Sequence, residues 1–155
     1  MNTELLINSL KFSPERLREL LSDIPPERLK EHRIPGKWSI HENACHLALV
    51  DEMMLQRLER FMQEEHPEFK PYCPGEGEAD VVLLDLDLQT CLEKYATLRR
   101  QLVEKLSTLT PDLWQRKAIH PEYLDYTPFI MARHVLLHDH LHMYRIEELW
   151  LTRDL

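Results

Sequence analysis

Apolar residues recur every three or four positions over long segments of this chain, which is the period of an amphipathic α-helix. The segments cover residues 4–22, Ser39 to about Glu65, residues 85–107, and Thr127-Pro128 to about Trp150. Only three glycines occur in the whole chain, which is few for a fold rich in tight turns. The pattern therefore predicts an all-α protein built on four long helices.

Local residues indicate where these helices begin and break. Ser39 and Glu42 have the spacing of a capping box, in which the serine caps the helix and the glutamate reaches back to it. Ser13-Pro14 predicts an interruption of the first segment, because serine can cap a new helix and proline can occupy its first turn. Two short helical turns are expected at Pro26–His32 and Thr110–Trp114.

The links between the helices are unequal in length. The link at residues 66–82 holds three prolines and two glycines before residue 78, and Arg116–Tyr126 forms a second irregular stretch. Long links permit crossover connections. We therefore expect a four-helix bundle with long crossover links, folded as a single domain over residues 1–155.

Charge and composition exclude several partners. The chain carries 19 basic and 27 acidic residues, a net charge of −8, so we expect no nucleic-acid partner. It has no apolar run of about 20 residues and no signal peptide at its start, so we expect no membrane partner and a cytoplasmic location. The three cysteines, Cys45, Cys73 and Cys91, match no CxxC spacing, so no disulfide framework is predicted.

The candidate chemistry lies in a run of histidines near the C-terminus. His134, His138 and His142 are spaced four residues apart, so on a helix they project from one face. Two imidazoles at this spacing can hold one metal ion, and His46 on the second long helix is the best candidate for a third ligand. The alternative is that these histidines are polar surface or hydrogen-bonded core residues. His140 should point elsewhere, and His134 could line a pocket.

For the other polar and aromatic residues, the structural interpretation is preferred to the functional one. We expect Cys45 and Trp38 to be packing residues. Asp51 and Glu52 are expected to be solvated acids rather than partners of a histidine. The other histidines outside the C-terminal run are expected to be structural or exposed: His32, His41, His66 and His120. Trp114 and Tyr123 could line the mouth of a pocket, and the loop that carries His120 could cover a site.

Two motifs carry a resemblance to a known family. Residues 35–52, Pro-Gly-Lys-Trp-Ser-Ile-His-Glu-Asn-Ala-Cys-His-Leu-Ala-Leu-Val-Asp-Glu, and the stretch His138-Asp-His-Leu-His142 resemble the two signatures of the DinB-like (DinB/YfiT-like) superfamily, which includes bacillithiol- and mycothiol-dependent transferases. The resemblance implies a four-helix bundle with a crossover, a homodimer, and a divalent metal held by His46, His138 and His142. Many members carry a second histidine where this chain has Leu141.

The resemblance and the histidine pattern together lead to a functional hypothesis. We expect nickel, zinc or iron at the site, where the metal activates a low-molecular-weight thiol such as bacillithiol, mycothiol or glutathione for transfer to a small electrophilic substrate. Arg133 and Arg145 are the candidates for binding the thiol's carboxylates. A non-catalytic metal-binding or stress-response protein and a metal-dependent hydrolase remain as alternatives, so the sequence leaves open whether the chain is an enzyme.

Overall fold

The structure is a computed structural model that describes residues 2–71 and 82–153. Its helices are α1 (Thr3–Lys11), α2 (Ser13–Ser22), α3 (Ile40–Gln63), α4 (Leu88–Ser107), α5 (Pro111–Trp114) and α6 (Pro128–Leu151). Short 3-10 turns occur at Pro26–Arg28 and Leu83–Asp85. The predicted all-α, four-helix architecture is confirmed, with α1 and α2 together in the place of the first long helix. Most of the link predicted at residues 66–82, with Cys73, lies outside the described residues.

The helix starts are fixed by side-chain caps. The Glu42 backbone N–H donates to Ser39 Oγ at 3.2 Å, and Glu42 Oε2 accepts from the Ser39 backbone N–H at 2.8 Å, so the predicted capping box is present. Thr127 caps α6 by accepting from the Ile130 N–H. The third long helix starts at Leu88, later than predicted, because Asp87 is its cap and a 3-10 turn precedes it.

The break between α1 and α2 has a consequence in the core. Pro14 has no N–H, so it cannot donate the helical hydrogen bond that Leu10 O would accept if the helix continued. That carbonyl instead accepts from Arg99 Nη1 at 3.2 Å. The predicted interruption at Ser13-Pro14 thus frees a backbone acceptor for a buried guanidinium on α4.

Helix α3 is the central element and packs most extensively against α4 and α6. The apolar core divides into two clusters along these helices. One cluster includes the α3 residues Leu55, Leu58 and Phe61. The other includes the α3 residues Ile40, Ala44, Leu47 and Ala48. On α4 and α6 the same division leaves residues 99, 138, 139 and 142 between the two clusters. A layer of charged and imidazole side chains therefore crosses the middle of the bundle.

Arg99 is the centre of the charged part of this layer. Its guanidinium makes two hydrogen bonds to Asp51, at 2.9 and 2.7 Å, and two to Asp139, at 2.6 and 3.0 Å. With the bond to Leu10 O, all five of its N–H groups have acceptors. The expectation of a solvated Asp51 is wrong, since this residue is 1% exposed. Glu52, by contrast, is half-buried and pairs with Lys94 at 2.7 Å.

The two irregular links are hydrogen-bonded to each other. The Phe69 N–H donates to Ile119 O, and the Ile119 N–H donates to Pro67 O, each at 2.9 Å. The link that follows α3 is therefore tied to the link that precedes α6, with the Phe69 ring packed against Phe61 and Tyr126. No helix in the described part of the chain combines the length and the apolar character needed to cross a membrane.

Candidate metal centre

Three histidine side chains converge between α3 and α6. His138 and His142 lie one turn apart on α6, and His46 faces them from the second turn of α3. His138 Nε2 lies 3.3 Å from His46 Nε2 and 3.1 Å from His142 Nε2. One potential ligand atom from each of the three residues lies within 4.8 Å of the other two. The structure therefore brings together the three residues that the sequence singled out.

Asn43, one turn before His46 on α3, determines which nitrogen of His142 carries the proton. The Asn43 Nδ2 amide donates to Ser39 O at 2.8 Å, which places its carbonyl oxygen toward His142. His142 Nδ1 lies 2.8 Å from that oxygen. Because a carbonyl oxygen only accepts, Nδ1 must be the donor, and Nε2 of the neutral ring keeps its lone pair. The lone pair points toward the other two histidines.

Burial keeps the three imidazoles neutral. The pKa of His46 falls to about 3, first because of its burial and then because His142 and His138 are close. Burial and the neighbouring His138 lower the pKa of His142 to about 4. The pKa of His138 is also lowered, mainly by burial. At neutral pH all three rings are therefore in the form that can coordinate a cation.

The spacing of the nitrogens fits a shared metal ion. With metal–nitrogen bonds of about 2.0–2.1 Å, tetrahedral angles put two ligand nitrogens about 3.3 Å apart and octahedral angles about 2.9 Å apart. The observed 3.3 and 3.1 Å lie in this range. Hydrogen bonding does not explain both distances, because His138 Nε2 carries either one proton or one lone pair and cannot make a linear bond to each neighbour.

Trp38 forms one wall of the cluster. Its ring centroid lies 4.6 Å from that of His46 and 5.9 Å from that of His142, and it is roughly parallel to the latter. Trp38 therefore packs against other side chains, as expected, and those side chains are the histidines themselves. His46 is 3% exposed, whereas His138 and His142 are only half-buried, so access to the cluster is from the α6 side.

A cleft adjoins the cluster at the start of α3. It has a volume of about 240 Å³ and is lined by Gly36, Lys37, Trp38, Asn43 and Arg145. Two of these residues, Trp38 and Asn43, contact the histidine rings directly. Space for a small molecule thus lies next to the nitrogens that could hold a metal.

The remaining histidines take other roles. His140 is exposed, as predicted. His134 packs against Tyr123 and Tyr126, with ring centroids 5.0 and 6.2 Å away. His120 is buried in the same group of rings. His66 is exposed, and His32 contacts Glu42 at the surface. His41 Nε2 lies 3.1 Å from Leu83 O. These positions agree with the structural or surface roles expected for the three residues. None of these six histidines belongs to the cluster.

The aromatic residues proposed for the pocket mouth are separated by the fold. Trp114 is buried in the apolar core and packs against Phe129. Tyr123 remains partly exposed and packs against His120, Tyr126 and His134. Neither residue lines the cleft beside the histidines.

Cys45 precedes His46 but does not join the histidines. It is fully buried, its Sγ lies 3.6 Å from His41 Nε2, and burial together with the neighbouring Cys91 raises its pKa. A thiol with a raised pKa stays protonated at neutral pH and is a poor metal ligand or nucleophile. The prediction that Cys45 is a packing residue is consistent with this environment.

Fold and site together define a class: a helical bundle with three convergent histidines between two of its helices. The sequence profile of the DinB superfamily matches residues 9–146, so the chain belongs to the DinB superfamily, as the motifs predicted.

Two relatives illustrate the class. Over 116 residues the chain is 28% identical to a protein of Oceanobacillus iheyensis named "Putative metal-dependent hydrolase OB0782", covering 75% of this chain and 67% of that protein. Among solved structures, YfiT from Bacillus subtilis matches with a TM-score of 0.82 and 23% identity, over 95% of this chain and 85% of YfiT. YfiT is described as a probable metal-dependent hydrolase with an unusual four-helix bundle topology. At this identity the likeness to YfiT establishes the fold.

Proposed function

We propose that this protein is a metalloenzyme that binds one divalent ion through His46, His138 and His142 and hydrolyses a small molecule. The observation that carries the proposal is the convergence of three neutral imidazoles, with Nε2 atoms 3.1 and 3.3 Å apart, on a partly open side of the bundle. Imidazole donors suit zinc, nickel and iron. The names given to the relative from O. iheyensis and to YfiT support hydrolysis as the reaction.

The side chains around the site have distinct tasks in this proposal. Three protein ligands leave coordination positions open, and a divalent ion supplies Lewis acidity that lowers the pKa of water or of a thiol. Asn43 orients the ring of His142. Trp38 covers one side of the histidines and excludes water from it.

A second candidate reaction is transfer of a thiol to an electrophile, with bacillithiol, mycothiol or glutathione as the thiol. The observation that favours it is the pair of cationic side chains, Lys37 and Arg145, in the adjoining cleft, which suits the carboxylates of such thiols. Arg133, the other arginine suggested for this role, lies over the Phe129 ring at 5.9 Å and does not line the cleft. Cys45 and Cys91 are buried, so neither offers a protein thiol for the reaction.

One experiment tests the metal and then separates the reactions. Elemental analysis of the purified protein should find about one divalent ion per chain, and the His142→Ala variant should lack it. The loaded protein is then assayed against a panel of esters and amides, and against a chromogenic electrophile with each of the three thiols. Metal-dependent ester or amide cleavage supports the hydrolase, and metal-dependent conjugation supports the transferase. A bound ion with neither activity would favour a non-catalytic metal-binding protein.

We also propose that the chain forms a homodimer through the outer face of α6. This face carries four apolar side chains, each more than half exposed: Leu137, Leu141, Tyr144 and Leu151. Their successive separations are four, three and seven residues, which keeps them on one face of the helix. A repeated apolar stripe of this kind is typical of helices that pair. Sedimentation should give twice the 18.6 kDa chain mass, and Leu141→Glu should give the monomer.

A further inference from the structure

The cleft beside the histidines is lined by two positive side chains. Lys37 and Arg145 are on its wall, and no carboxylate belongs to the described residues that line it. The Lys37 ammonium makes no ion pair with any residue that the structure describes, whereas Arg145 Nη1 pairs with Glu148. Glu148 offsets one of the two positive charges, so the cleft keeps a local charge of about +1 in a chain of net charge −8.

Of the two cations, Arg145 lies at a short and defined distance from the histidines. Arg145 follows His142 by three residues on α6, a spacing that puts their Cβ atoms about 5–6 Å apart. A small ligand could therefore contact Arg145 with one group while another of its groups, only a few bonds away, lies beside His142.

The backbone around Lys37 is held in place. Gly36 has a φ of +72°, a conformation that L side chains rarely adopt, and the Lys37 N–H closes the turn by donating to Ile34 O at 3.1 Å. The capping box of α3 begins two residues later at Ser39. The turn and the cap fix where the Lys37 side chain leaves the backbone.

We infer that this cleft is a subsite for a single carboxylate of the substrate or of a co-substrate thiol, bound by Lys37 and Arg145. The inference rests on the metalloenzyme proposed above and names the chemical class that it takes. A local charge of about +1 matches one carboxylate better than a dianionic phosphate. The volume of about 240 Å³ is smaller than a typical ligand pocket, so the cleft holds the acidic end of a small molecule and not the whole of it.

Paired hydroxamates test the subsite without relying on turnover. Succinohydroxamic acid has a metal-binding hydroxamate at one end and a carboxylate at the other, and its terminal carboxamide analogue differs only in charge. Affinities for cobalt-loaded protein are measured from the change in the cobalt absorption spectrum. We expect the acid to bind about tenfold more tightly than the amide, the effect of one good charged hydrogen bond.

The test variants are Lys37→Gln and Arg145→Gln, and each should reduce the preference for the acid over the amide. The matched control is Arg133→Gln on α6, which should bind the acid with the same preference as the natural chain. Lys37 is exposed, so its variant should fold normally. Equal binding of the acid and the amide by a protein that holds the metal would overturn the subsite and leave the metalloenzyme proposal standing. Failure to hold cobalt or either hydroxamate would overturn the metalloenzyme proposal itself. Tighter binding of the corresponding phosphonate would overturn the assignment to a carboxylate.

Discussion

Helices α3 and α6 bring two polar groups of side chains together in the middle of the bundle, and the two groups differ in how their charges and lone pairs are satisfied. Asp51 and Asp139 receive a cation from within the protein, the Arg99 guanidinium, and the cluster is closed and almost fully buried. His46, His138 and His142 instead direct neutral nitrogens toward one another, with Nε2 atoms 3.3 and 3.1 Å apart. The first cluster is complete as folded, and the second has the donor set for an external ion.

The two clusters are linked by sequence as well as by space. Asp139 directly follows His138 on α6, so the ion cluster anchors the helix that carries two of the three histidines. Arg99 ties Asp51 on α3 to Asp139, and this fixes the relation between the two helices at the level of the site. The charged cluster thus provides rigidity, and the histidine cluster provides chemistry. The predictions below test that division of roles.

The largest effect is expected when the internal cation is removed. Arg99→Met leaves two carboxylates buried without a partner, which should lower the free energy of unfolding by about 3–5 kcal/mol. Urea denaturation followed by circular dichroism measures this change. Arg100→Met, at the exposed neighbouring position, should change stability by less than about 0.5 kcal/mol. If the two variants are equally stable, Arg99 is not the anchor described here.

The histidine variants should show the opposite pattern, with loss of metal and little loss of fold. His46→Ala, His138→Ala and His142→Ala should each reduce metal affinity by more than the about 10–100-fold that loss of an outer partner costs. Competition with a coloured chelator measures the affinity. His140→Ala, on the exposed face of α6, should bind metal normally. Full metal retention by any of the first three variants would remove that residue from the ligand set.

Acid should weaken the metal-free protein through the histidines. The folded-state pKa is about 3 for His46 and about 4 for His142, whereas an unfolded histidine has a pKa of about 6.5. Between pH 6.5 and about 4 the unfolded chain binds protons that the folded chain does not, so the free energy of unfolding falls as the pH falls. Above about pH 7 both forms are neutral and this contribution vanishes.

Urea midpoints of chelator-treated protein between pH 7 and 4.5 measure this slope. The triple variant His46→Ala, His138→Ala, His142→Ala should show a flatter dependence over the same range, and His140→Ala should keep the slope of the natural chain. An unchanged slope in the triple variant would mean that groups other than these three histidines govern the response to acid.

The fold and the metal candidates could be predicted because they depend on local spacing. Periodicity and caps indicate the helices, and a separation of four residues puts His138 and His142 on one face whatever the rest of the chain does. The ion cluster could not be predicted in this way. Arg99 is 48 residues from Asp51 and 40 from Asp139, and a charged residue read alone is expected in solvent.

Asn43 was missed for a related reason. It lies three residues before His46 and so on the same face of α3, which was a usable signal, but its role depends on contact with His142, 99 residues away. Of the two cationic residues that line the cleft, only one was identified from the sequence. Arg145 was predicted as an anion-binding candidate, whereas Lys37 came to the site through the turn at Gly36.

The smallest of these effects concerns Asn43, and it tests whether the histidine cluster is preorganised before any ion binds. Asn43→Leu is close in volume and removes the acceptor for His142 Nδ1, so the ring can place its proton on Nε2 and turn its lone pair away. We expect metal affinity to fall about 10–100-fold. Nitrogen NMR of the metal-free protein provides an independent measurement, since it should show the Nδ1–H form of His142 in the natural chain and a mixture in the variant. Asn8→Leu, the same exchange at an exposed position of α1, is the control for the substitution itself. If His142 keeps the Nδ1–H form without Asn43, some other acceptor orients the ring, and the histidine cluster is preorganised by the packing of Trp38 and α6 alone.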